Sequence, residues 1–140
     1  MRYYAVYDTN VLISSILTKH ADSATALVVD AITRGKIIPV YNQEILDEYD
    51  KVLHRPKFNF SEIIIQKILR IIRQFGVNIN LNSMGIELPD EADVVFYEVV
   101  LDKAEAFLIT GNIRHFPKRY FIVTPAEMMK ILQEDELSQQ

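Results

Sequence analysis

The chain has 140 residues, 49% hydrophobic and 24% charged, which suits one ordinary soluble globular domain and excludes a largely disordered polymer. Its formal net charge of −4 argues against a broad, tight grip on nucleic acid through phosphates, but accommodates carboxylates gathered around cations, so charge alone neither supports nor opposes a nuclease. With no cysteine, disulfides, thiolate catalysis and cysteine-based zinc sites are excluded.

No apolar run approaches the roughly 20 residues of a membrane span. The first residues lack the charged region, apolar stretch and cleavage site of a secretory signal. A cytoplasmic protein without membrane association is expected. Tyr3–Asp8 is rich in β-formers and stops at Asp8-Thr9-Asn10, a strand end followed by helix-capping residues. Val11–Leu17 and Ala24–Ile32 carry apolar residues at helical spacing, the second closing at Gly35. Ile37–Val40 reads as a short buried strand in spite of Pro39, which removes a ladder donor. Asn42 caps a helix with the stripe Ile45, Leu46, Tyr49, Val52 and Leu53, and this helix breaks at Arg55-Pro56. Ser61 caps a strong helix over Glu62–Phe75, closed by Gly76; Val77–Asn80 follows as a short strand. Pro89 and Asp90 open a helix running to about Asp102. Ala106–Thr110 and Phe121–Val123 read as strands, and Pro125 starts the final helix. The tail, residues 133–140, is polar and expected to fray, leaving 1–132 as the single domain. Alternation of strands and helices predicts an α/β layered domain with a mainly parallel sheet.

In such sheets, ligands bind beyond the carboxyl ends of the strands, near the point where strand order reverses. Two strands end in polar groups, at Asp8-Thr9-Asn10 and at Thr110-Gly111-Asn112. If they are neighbours, they share a rim. A helix N-cap is the ordinary use of an acid at Asp8, but Thr9 and Asn10 could cap instead. On the third helix, advancing about 100° per residue, Glu48 and Asp50 flank the apolar stripe on opposite sides, and either could lean over the sheet edge. Asp47 points away, with Lys51 one turn on. Asp90 and Asp93 head another helix, where first-turn acids commonly satisfy free amides and the dipole; Asp93 borders the apolar stripe and is the better candidate to face the sheet. Converging carboxylates repel unless a cation compensates them, and oxygen-only ligands select Mg²⁺ or Mn²⁺. His20, His54 and His115 show no paired spacing, and no nucleotide-binding or Gly-x-Ser-x-Gly motif occurs.

The segments Val6–Ser15, Glu44–Leu53, Asp90–Asp93 and Leu108–Asn112, taken in order, resemble the PIN domain, and within it the prokaryotic VapC-like toxin components. His54–Phe58 and Ile122–Glu127 also look like that subgroup, so the resemblance runs to about Ile131. It implies a three-layer α/β/α sandwich and a metal-dependent endoribonuclease, the toxin of a toxin–antitoxin pair. Carried over by position, it makes Asp8, Glu48 and Asp93 catalytic acids and ligands of Mg²⁺ or Mn²⁺, with Asp90 an auxiliary metal ligand. Thr9, Asn10 and Thr110 would orient ligands or substrate, and Arg114 could contact RNA, as could Lys118, Arg119, Arg55 and Lys57. Expected partners are RNA, an antitoxin protein and a second copy of the chain, since the helix Ser61–Phe75 has more apolar residues than one face requires.

One departure from the family pattern concerns Asn112, where many PIN domains place a fourth acid; a further acid of related toxins would fall near His115. Asn112 can ligate, or hold a metal-bound water, but brings no charge. That substitution supports an alternative, a catalytically weakened PIN-like RNA-binding module. A second alternative is a haloacid-dehalogenase-type phosphohydrolase using Asp8 as nucleophile, although Asn10 stands where those enzymes need an acid.

Overall fold

The computed structural model describes residues 2–79, 91–102 and 105–138. The β-rich run after the first two residues forms β1, Tyr3–Tyr7, and the chain then alternates: α1 Thr9–Leu17, α2 Ala24–Thr33, β2 Ile37–Tyr41, α3 Gln43–Leu53, α4 Glu62–Phe75, β3 Val77–Asn78, α5 Glu91–Asp102, β4 Phe107–Ile109, β5 Ile122–Val123 and α6 Pro125–Ser138. The five strands form one sheet in the order β3-β2-β1-β4-β5. Every pair is parallel. Helices cover both faces, giving the α/β/α sandwich, because parallel connections must cross over the sheet.

Side chains alternate across β1. Tyr7 points toward α2 and donates its hydroxyl to the Val28 carbonyl at 2.6 Å. On the other face lies α5, packed on β1, β2 and β4, with α3 beside it through the Tyr49–Phe96 ring pair. The core between these layers includes Ala5, Val6, Leu12, Ile45, Leu108 and Ile109, all fully buried. Each large aliphatic removed from water contributes about 1.5–3 kcal/mol.

Local signals act where the sequence places them. Asn42 Oδ1 accepts from Ile45 N at 2.9 Å, and Ser61 Oγ from Ile64 N at 3.3 Å. Gly35 closes α2 at φ +74°, the left-handed conformation that glycine adopts without strain. Pro39 is tolerated inside the sheet because β3 begins its pairing only at Val40. The carbonyl of Pro39 faces Gly76 instead, where a β-carbon would sit 2.6 Å from it and 2.3 Å from the Ile72 carbonyl.

Two expectations are corrected. The last helix does not fray at Gln133 but runs to Ser138, held by a reciprocal capping box between Thr124 and Glu127 at its start and by Lys36 on Glu136 near its end. Tyr3 also hydrogen-bonds Asp135 there. Asp47 accepts from Gln43 at 2.8 Å rather than pairing with Lys51. The strand after Gly76 spans Val77–Asn78, and Asn80, Pro89 and Asp90 lie outside the described residues. No helix among the described residues is long and apolar enough to cross a membrane.

Candidate active site

Strands β1 and β4 are neighbours, in the register Tyr7 to Ile109. Successive strands run outward from β1 to β2 and β3, then restart on its other side with β4 and β5. The order therefore reverses between β1 and β4, and the rim shared by their carboxyl ends is the switch point of the sheet. The backbone continues the ladder by one bond, Asp8 N to the Ile109 carbonyl at 2.9 Å, which sets Asp8 beside Thr110.

Asp8 is 5% exposed. It occupies the N-cap position of α1 without making a side-chain cap hydrogen bond, unlike Ser23, Asn42 and Ser61 before α2, α3 and α4. The ordinary use of an acid here is thus set aside. Its Oδ2 accepts the Thr110 hydroxyl at 2.6 Å and the Asn10 side-chain amide at 3.1 Å. Asn10 Oδ1 in turn accepts from Gly111 N at 3.2 Å, and Thr110 Oγ1 from Asn112 N at 2.9 Å. Asn10 and Thr110 thereby hold the two strand ends together around the carboxylate, whereas the Thr9 hydroxyl takes no part in this network. Burial raises the Asp8 carboxyl above its ordinary range, outweighing Thr110, the nearby amides of Asn10 and Thr9, and the charge of His115, which all favour the ionised form.

Two further expected acids lie on α5 and α3, the helices that pack against one another through Phe96 and Tyr49. Asp93, buried near the start of α5, contacts His115 Nδ1 through Oδ2 at 3.1 Å. His115 sits in a 3-10 turn, Ile113–His115, which the sequence reading did not foresee; its charge also reaches Asp8. On α3, Tyr49 donates its hydroxyl to the Tyr7 carbonyl at 2.5 Å, immediately beneath Asp8. Burial, then the Asp8 charge, pushes the Tyr49 hydroxyl well above its usual range. Glu48 precedes Tyr49, is half-buried, and has no hydrogen-bond or ion-pair partner among the described residues. Asp50 is exposed and engaged by His54, whose ring also reaches Glu62 at 2.6 Å. Of the two flanking acids, Glu48 is half-buried and Asp50 is exposed.

Asn112 and Arg114 are exposed, and together with Gly111, Ile113 and His115 they line a pocket of about 340 Å³. Lys118, Arg119, Arg55 and Lys57 are exposed as well. Glu98 of α5, not considered from sequence, is as buried as Asp93. A lone acid in the apolar run Val94–Leu101 was the signal available.

The donor chemistry fits a hard divalent cation: a desolvated carboxylate, and beside it Thr9 Oγ1, the one buried side-chain polar atom without a partner among the described residues. It does not form a finished cage, for among the described residues no three histidine or acidic side chains come close enough to hold an ion. Asp90 lies outside those residues.

A buried acid stands at the reversal point of a parallel sheet, the edge at which α/β proteins generally bind their ligands. This chain belongs to the PIN domain family, whose family model matches residues 4–114. PIN domains are generally metal-dependent nucleases. No curated protein and no solved structure matches the chain. Membership sets aside the haloacid-dehalogenase alternative, and Asn10, which needed to be an acid in that reading, donates to Asp8 instead. The stretch Ile122–Glu127 lies beyond the matched residues.

Proposed function

We propose that this chain is a Mg²⁺- or Mn²⁺-dependent endoribonuclease, acting as the toxin component of a toxin–antitoxin pair. The observation that carries the nuclease reading is Asp8: a buried carboxylate at the switch point of a PIN-family sheet, unused as a helix cap. The toxin role, with an antitoxin as partner, rests on the resemblance of the motifs alone.

Asp8, Glu48 and Asp93 would hold the cation, with Asp90 as an auxiliary ligand. A bound divalent ion supplies Lewis-acid stabilisation of the phosphodiester and lowers the pKa of an attacking water. The chain's own residues prepare that site. Thr110 and Asn10 fix the Asp8 carboxylate by hydrogen bonds to one oxygen, while Thr9 offers an uncommitted hydroxyl. Tyr49 and Tyr7 form the dry floor that excludes water from below. Arg114, exposed at the pocket rim beside Asn112, meets the RNA phosphate backbone. Cleavage should leave a 5′-phosphate and a 3′-hydroxyl.

Two copies of the chain should pair through α4. Ile65, Leu69 and Ile72 fill the core, while Ile63 and Ile64 remain 80% and 41% exposed, an apolar excess that a monomer does not use.

A binding module with weakened catalysis is the second reading, favoured by the absence of a finished cage among the described residues and by the uncharged Asn112. One assay separates the two. Incubation of a mixed RNA pool with Mn²⁺ should yield metal-dependent fragments, and Asp8→Asn should reduce the rate by about 10²-fold or more. Retained RNA binding without cleavage by the wild type would favour the binding module. Equal cleavage by the variant would refute the nuclease assignment.

A further inference from the structure

We infer that His115 is a positioning residue that orients the Asp93 carboxylate for cation binding. The inference rests on the nuclease reading above. His115 Nδ1 lies 3.1 Å from Asp93 Oδ2. An ionised carboxylate only accepts, so the ring nitrogen facing it carries the hydrogen, whether the imidazole is neutral or charged. Asp93 is buried, whereas the His115 side chain is 44% exposed. The histidine therefore bridges a desolvated acid and the open pocket lined by residues 111–115.

The turn itself is anchored from the site. Asn112 N donates to Thr110 Oγ1, the hydroxyl that donates to Asp8, and His115 N donates to the Asn112 carbonyl at 3.0 Å. A continuous chain of hydrogen bonds thus runs from Asp8 through Thr110 and Asn112 to His115 and on to Asp93. Two buried carboxylates on separate elements, Asp8 and Asp93, are thereby linked through the one turn. Groups that orient a metal-binding side chain typically contribute 10–100-fold in affinity.

The test is calorimetric titration of the full chain with Mn²⁺, without RNA, for wild type, Asp8→Asn, His115→Ala and His115→Asn. Asparagine keeps an N–H donor where Nδ1 stands; alanine removes it. His115→Ala should weaken Mn²⁺ binding by about 10–100-fold, and His115→Asn by less than about threefold. At saturating Mn²⁺, the KM for RNA should be unchanged in both. Wild-type affinity in His115→Ala, or equal losses in the two His115 variants, overturns the positioning role. If Asp8→Asn still abolishes binding in that case, the nuclease reading stands alone. Unchanged Mn²⁺ binding in Asp8→Asn, or none in the wild type, overturns both.

Discussion

Asp8 bears a conflict between folding and function that can be measured without a substrate. Burial raises its carboxyl above the ordinary value of 3.8, so the folded chain holds this proton more tightly than the unfolded one. The sign follows from linkage: as pH climbs from the unfolded pKa through the raised folded value, the unfolded state sheds its proton first and stability falls. Asp8→Asn removes that loss while keeping an oxygen for the Thr110 hydroxyl. In chelator-treated buffer the variant should melt higher than wild type near neutral pH, and the two should converge as the pH drops below about 4. Saturating Mn²⁺ should narrow the gap at neutral pH, because a cation bound by the ionised wild type stabilises only the folded form. A variant that melts lower than wild type at neutral pH would show that its hydrogen bonds outweigh desolvation.

At the scale of elements, the junction between α4 and β3 depends on a single missing side chain. Gly76 has an ordinary negative φ of −97°, so its requirement is space rather than backbone conformation. Any β-carbon there would meet the Ile72 and Pro39 carbonyls at 2.3 and 2.6 Å; these are backbone atoms that cannot swing aside. Gly76→Ala should therefore cost about 1–3 kcal/mol, read as a lower urea midpoint with an unchanged slope. A loss below about 0.5 kcal/mol would mean that the edge strand shifts freely. The same contact explains how Pro39 sits in an internal strand: its donorless nitrogen lies alongside the glycine turn rather than a paired strand. From sequence, Gly76 reads only as a helix stop, since nothing local records which strand the following residues will approach.

For the whole molecule, pairing through α4 makes a separable prediction. Ile63 is 80% exposed, so Ile63→Glu should change monomer stability by less than about 0.5 kcal/mol. It should nonetheless convert a dimer to a monomer in sedimentation. A wild-type chain that stays monomeric at high concentration would refute the pairing. How much was legible in advance divides along the same line of scale. Helices α2, α3 and α4 could be read almost to the residue, because Asn42, Ser61, Gly35 and the 3.6-residue apolar stripes are local instructions acting within one or two turns. The Asp8 strand end was legible for the same reason. The sequence by itself determined the alternation of elements, the parallel sheet and the short set of acids able to serve a site. Only the tertiary structure decided that β1 and β4 are neighbours, that Asp8 is bonded to Thr110 102 positions away, and that Asp93 is held by His115. Those contacts depend on strand order and on burial between layers. Both are set by the packing of distant segments, which no local pattern of residues encodes.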